Sequence, residues 1–389
     1  MAFKMNIVQN KLESYRPFGI IGQPKQGKST FVRDLIIKYT GSPEHGLLIS
    51  CGNENGYKHL DNLQYEVAPV WDKPYGRYEE DLPEELKTRG LVQIIDELVE
   101  TKQTNGIKIV ALDTIDELYA IAYGQVKEEH RKLKGEYPKS LNDALGGFGN
   151  GRKRIIELVN QQIDRLSNAG YAVFWIGHTK DKMKEDMLTG VSYEIVTNNL
   201  EDNFFSAIEA RSQMVMNFVG EREFENVQSE TSKGFDGKTI TKEVGTNKGL
   251  TRYIYFRDSG LVHASCNFPG VPTKIELSVD NFLKVFNEGV ENSRTQKLNA
   301  EQLEAENKKE DELNALKVKA VQQKENEGYS EAKEEIIKSI KDTIKSKASQ
   351  EGFKDAILTK VEELSINPKN YEASGSDSLK ELLNFVTQF

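Results

Sequence analysis

The stretch Gly22-Gln23-Pro24-Lys25-Gln26-Gly27-Lys28-Ser29-Thr30 sets two glycines, a lysine and a hydroxyl at the spacing G-x-x-x-x-G-K-[ST]. That spacing suits one chemistry. Glycines let main-chain N–H groups close around phosphate oxygens, and the N-terminus of a following helix adds partial positive charge. Lys28 would reach the outer phosphates of a nucleotide, and Ser29 would ligate magnesium. The elements that must hold such a loop flank it: Phe18-Gly19-Ile20-Ile21 reads as a short buried strand, and Phe31 to Tyr39 has helical apolar spacing closed by Gly41.

Three further apolar strands are expected to deliver polar residues at their carboxyl ends, where a parallel sheet faces its ligand. Gly46 to Cys51 leads to Glu54, a carboxylate placed to orient and deprotonate an attacking water. Ile107 to Leu112 ends in Asp113, the Walker B arrangement in which a carboxylate holds magnesium directly or through water. Asp116 and Glu117 are expected to face solvent at the start of the next helix. Tyr171 to Gly177 delivers His178, which would hydrogen-bond a γ-phosphate and report its presence to a loop over Asp181 to Glu194.

Composition bounds the rest. With 389 residues, 37% hydrophobic and 29% charged, the chain has material for two or three domains and a well-buried core. No apolar run is long enough to cross a bilayer, and the N-terminus lacks a leader pattern, so a cytoplasmic protein without membrane attachment is expected. Cys51 and Cys266 lack metal or redox spacing and read as reduced core thiols.

A net charge of −9 argues against a surface coated with nucleic-acid-binding charge, yet basic residues gather locally. Between Lys127 and Arg154 lie Gly146-Gly147-Phe148-Gly149-Asn150-Gly151-Arg152-Lys153-Arg154. Glycines beside Phe148 and the triplet Arg152, Lys153 and Arg154 make a loop able to neutralise phosphates and stack one ring. Farther on, a hairpin is expected between Lys248–Phe256 and Gly260–Ser265. Arg252 and Arg257 project there as candidates to reach a neighbouring subunit's nucleotide.

Near residue 291 the texture changes to Glu, Lys, Gln, Asn and Ala, and apolar spacing returns from Ile336 onward. The expected organisation is a nucleotide-binding core over residues 1–290, a charged helical linker over 291–330 and a small all-helical domain over 331–389.

The segments GQPKQGKST, ISCGNENG, IVALDTIDEL and FWIGHTKDK in this order resemble the RecA-like branch of P-loop ATPases. Within it they look most like phage nucleotide-binding proteins with a single AAA-type domain, including single-strand annealing proteins of the Sak-four type. The resemblance covers roughly residues 15 to 290. It implies an α/β core with a mostly parallel sheet flanked by helices, in which the catalytic glutamate follows the strand beside the phosphate-loop strand. It also implies ATP and Mg2+ as ligands, with Lys28 on phosphate, Ser29 and Asp113 on the metal, Glu54 on water and His178 as sensor. The implied partner is single-stranded DNA, met by the loops near 146–154 and 180–193 of a ring or filament of identical subunits.

Three functions follow as expectations. The first is a DNA-stimulated ATPase of phage recombination or replication that promotes annealing or strand pairing. The second is a ring helicase or helicase loader. The third is a nucleotide-gated adaptor whose helical domain docks a single-strand-binding or replication protein.

Overall fold

A computed structural model describes residues 10–52, 55–72, 89–233, 239–294, 334–347, 352–364 and 376–388, with a few single positions between them. The chain divides into two compact units, 1–315 and 316–389.

The first unit is built on a ten-stranded sheet of order β10-β8-β7-β1-β5-β4-β2-β3, with β6 (Ser192–Asn198) pairing on β5 and β9 (Ser265–Cys266) on β7. Its centre is formed by β1 (Phe18–Gly22), β2 (Gly46–Cys51), β4 (Ile109–Asp113) and β5 (Ala172–Glu185). The first three are buried along their whole length, as near-continuous apolar runs in a sheet covered on both faces should be. With β3 (Gln64–Ala68) and β7 (Met214–Lys233) they form a parallel block. The antiparallel strands β8 (Thr239–Tyr255) and β10 (Lys274–Glu276) extend it.

One face is covered by α1 (Lys28–Thr40) and α6 (Val279–Asn292). Phe18, Phe31, Phe174, Phe218, Phe282 and Phe286 pack there in a single core. Burying one such ring stabilises the fold by about 2 kcal/mol, and α6 contributes two, so the core reaches at least to this helix. α1 ends where Gly41 turns left-handed (φ 82°) and returns its N–H to Ile37 O at 2.9 Å.

Against the other face stand α2 (Leu91–Thr101), α3 (Ile115–Lys134), α4 (Asn150–Asn168) and α5 (Asp202–Glu209). Trp175 is fully buried and donates to Ser212 Oγ at 3.0 Å. Its indole occupies the space where a Cβ on Gly19 would be, 2.2 Å away.

The second unit has its own core. Helices α7 (334–347), α8 (Phe353–Glu363) and α9 (Ser376–Gln388) bury Ile340, Phe353, Val361, Leu379, Leu382 and Val386 together. Among the described residues no helix is long and apolar enough to cross a membrane.

Two hairpins differ from expectation. The partner of 248–256 is β7, not 260–265: Asn217 opposes Tyr255 and the ladder runs outward to Lys233 and Thr239. Residues 181–194 are a loop only over 186–191, because β5 continues to Glu185 and pairs with β6 (Ser192–Asn198). Both ladders extend beyond the apolar runs through backbone pairing of largely polar residues. The start of the helix expected from Glu84 lies outside the described residues, as does most of the expected linker.

Candidate functional site

Lys28, Ser29, Asp113 and His178 gather at one edge of the sheet. The phosphate loop leaves β1 after Gly22, where a Cβ would lie 2.9 Å from Phe218 O, so only glycine lets β7 pass this close. Gly27 (φ 88°) and Lys25 (φ 68°) are left-handed, and the loop wraps into the N-terminus of α1. Gln23, Pro24 and Lys25 are exposed, as is Thr30. Lys28 is 7% exposed and hooks back on its own loop, donating to Gly22 O at 2.8 Å and to Gln23 O at 3.0 Å.

Ser29 Oγ donates to Asp113 Oδ2 at 2.7 Å. Asp113 ends β4 in register with Ser50 of β2 and Ile176 of β5, and its peptide bond to Thr114 is cis. Burial, and then the charges of Asp113 and Glu117, push the Cys51 thiol far above its ordinary value, so it stays neutral. Glu117 packs against Gly52, where a Cβ would come within 2.2 Å of its carboxylate. At this point of the edge Ser29 and Asp113 offer oxygen ligands. Magnesium suits it, because Mg2+ takes one or two protein oxygens and completes its shell with phosphate and water. Among the described residues no group of three or more His, Cys, Asp or Glu could hold a metal alone.

His178 stands opposite Gly22 in the β1–β5 register, beside the phosphate loop. Asp116 holds it twice: Oδ2 accepts from the His178 main-chain N at 3.0 Å and lies 3.2 Å from Nδ1. Asp116 therefore does not face solvent as expected. It sits in the first turn of α3, and β5 runs past that turn. An acid there looks in sequence like an ordinary dipole partner, so its second role left no signal.

Glu54 lies outside the described residues. The strand before it, β2, is not beside β1 as the resemblance implied: β4 and β5 stand between them.

Of the basic triplet, Arg152 pairs with Glu201 at 2.8 Å and also meets Asn142. Arg154 grips Glu129 through two nitrogens. Lys153 is exposed and has no partner among the described residues. Phe148 is wholly exposed and left-handed at φ 53°.

The β5–β6 hairpin sorts its charges by strand alternation. Lys180, Lys182 and Lys184 lie on one face with Thr197, Ile195 and Tyr193, while Asp181, Glu185 and Glu194 lie on the other. The lysine face turns toward α5, where Lys182 bonds Asp202 at 2.7 Å.

Arg257 is tied to its own chain, donating to Val271 O at 3.0 Å and Phe268 O at 2.7 Å. Arg252 is exposed on β8 opposite Gly220.

A family model for an AAA domain matches residues 15–263, which span β1 to the segment before β9 and include the whole phosphate-loop edge. The chain belongs to the AAA domain family. No curated protein matches it. Membership makes this an AAA-type P-loop ATPase domain, a class that binds and hydrolyses nucleotide and usually uses magnesium.

Proposed function

We propose that this AAA protein is a magnesium-dependent ATPase of phage-type recombination or replication that binds single-stranded DNA as an oligomer and promotes annealing or strand pairing. The observation that carries the ATPase part is the Ser29–Asp113 contact beside a phosphate loop whose lysine is already buried in place. Loop amides and Lys28 bind the phosphates, and Ser29 and Asp113 would hold the metal. Magnesium, when bound, supplies neutralisation of phosphate charge. His178, fixed by Asp116, hydrogen-bonds the terminal phosphate. We assign the attacking water to Glu54, which takes its proton.

The DNA part draws support from Phe148, a ring held out in solvent between glycines, and from the exposed Lys153 five positions on, which would meet a phosphate. Because Arg152 and Arg154 have carboxylate partners, most of the DNA affinity is assigned to Phe148 and Lys153.

ATP hydrolysis measured with and without single-stranded DNA tests both parts. Wild type is expected to be stimulated, and Phe148→Ala to keep basal turnover but lose the stimulation. Lys28→Ala should lose tight nucleotide binding, and Glu54→Gln should bind nucleotide without hydrolysing it. Wild-type turnover indifferent to DNA, with no DNA retained in ATP, would remove the recombination role and leave the ATPase.

A second reading, the nucleotide-gated adaptor, is favoured by one observation: the C-terminal unit has a core of its own. Truncation after Gly328 separates the two readings. If ATPase and DNA binding both survive, the removed unit is a docking module.

A further inference from the structure

β7 pairs with β1 as far as Phe218, opposite Gly22, and then runs on past the sheet edge against β8. Directly opposed residues of an antiparallel pair share a face, and so do residues two apart. Phe218, Gly220 and Arg222 therefore share one face with their partners Ile254, Arg252 and Leu250.

That face is the one on which α1 and the phosphate loop lie. Phe218 meets Phe31 of α1 with ring centroids 5.1 Å apart. One step outward, a Cβ on Gly220 would come within 3.2 Å of Gln26 Oε1 in the loop itself. Arg252 stands across from Gly220, and Arg222 is one step beyond it, about 7 Å along the strand. Both arginines are exposed, and neither guanidinium has a partner among the described residues. The adjacent carboxylates Glu221 and Glu223 alternate onto the opposite face, where Glu221 is bound by Lys274 at 2.6 Å.

Two unpaired guanidiniums beside an anion-binding loop, with the nearby acids turned away, form the outer half of a phosphate site. We propose that Arg222 and Arg252 bind the terminal phosphate of the nucleotide held in their own chain's phosphate loop, and not that of a neighbouring subunit. Lys28 and the loop amides grip the inner side, and the β7–β8 ribbon closes over the outer side. This assignment rests on the nucleotide-binding reading of the loop.

The test compares the full-length double variant Arg222→Ala/Arg252→Ala with Lys28→Ala. The arginine variant is expected to lose about tenfold in affinity for a non-hydrolysable ATP analogue while keeping its affinity for ADP. Mixing it with Lys28→Ala is expected to leave turnover at the sum of the separate preparations. Turnover regained on mixing would place the arginines on a neighbour's nucleotide and overturn the assignment. Unchanged discrimination between analogue and ADP would remove them from the phosphate. If wild type and Lys28→Ala bind the analogue equally, the nucleotide reading itself fails, and the arginine assignment with it.

Discussion

Ser29 Oγ and Asp113 Oδ2 stand 2.7 Å apart, so the first turn of α1 meets the tip of β4 although β5 separates β1 from β4 in the sheet. An interposed strand would ordinarily hold the two elements apart. The contact forms because β1 ends at Gly22 and the loop carries the chain back over the edge before α1 begins. The two oxygens are thereby brought within hydrogen-bond distance.

Asp113→Asn is expected to lower magnesium-dependent hydrolysis by about a hundredfold, because the change removes the negative charge of the proposed metal ligand. Titrating turnover against magnesium checks this. A response identical to wild type would show that Asp113 does not hold the metal.

Asp116→Ala is expected to lower kcat about tenfold and leave nucleotide affinity within about twofold, since the phosphate loop stays intact while His178 loses its anchor. Steady-state kinetics separates the effects. A rise in KM with kcat unchanged would mean that Asp116 serves substrate binding and not His178.

His263 lies 2.7 Å from Glu209 and 3.5 Å from Asp258. The Glu209 contact raises the imidazole above its ordinary 6.5 against the opposing effect of burial. Burial pushes Glu209 up, but the His263 and Ser265 contacts outweigh it and hold the carboxyl below 4.5. The imidazole's contribution to stability is complete below about pH 6.5 and is lost as pH rises through its raised value. The carboxylate's contribution is present above about 4.5 and is lost as pH falls. The melting-temperature gap between wild type and His263→Gln should thus be widest between about pH 4.5 and 6.5 and shrink at higher pH. A gap independent of pH would refute the pairing.

Lys102 is half-buried with its Nζ 3.6 Å from the centroid of Tyr171, donating to Ile107 O at 2.7 Å. Burial first, then the charge of Lys108, pull its ammonium down to about 8 against the raising effect of Glu13. Between about pH 8 and 10.5 the unfolded chain holds a proton that the folded chain has released, so stability rises with pH across that window. Lys102→Met should flatten this rise. Thermal unfolding of both proteins from pH 7 to 11 measures it, and parallel curves would count against the depressed value.

Much of the core was legible because its signals are local. The phosphate loop has fixed spacing, and β1, β2, β4 and β5 announce themselves as apolar runs. β3 does not: Gln64-Tyr65-Glu66-Val67-Ala68 buries fully only its last residue, and it is a strand because β2 offers it a parallel partner. Strand order was equally hidden, since nothing in the residues around Glu54 shows that β4 and β5 separate β2 from β1. The partners of Arg152 and Arg154 lie 49 and 25 positions away, so a triplet that looks free in sequence is two-thirds neutralised in space. Asp116 illustrates the same limit, because one carboxylate at a helix start serves either its own helix or a neighbouring strand.

The β5–β6 hairpin makes polarity a matter of counting. From Lys180 to Glu185 the lysines alternate with Asp181, Met183 and Glu185, and only their parity decides which sign α5 meets. One residue inserted between Gly177 and Lys180 would shift that parity and swing Asp181 and Glu185 toward Asp202 and Glu209. Attraction between ribbon and helix would become repulsion with no charge added or removed. Evolution can trim or lengthen this ribbon at its tip, but at its base it can do so only in pairs.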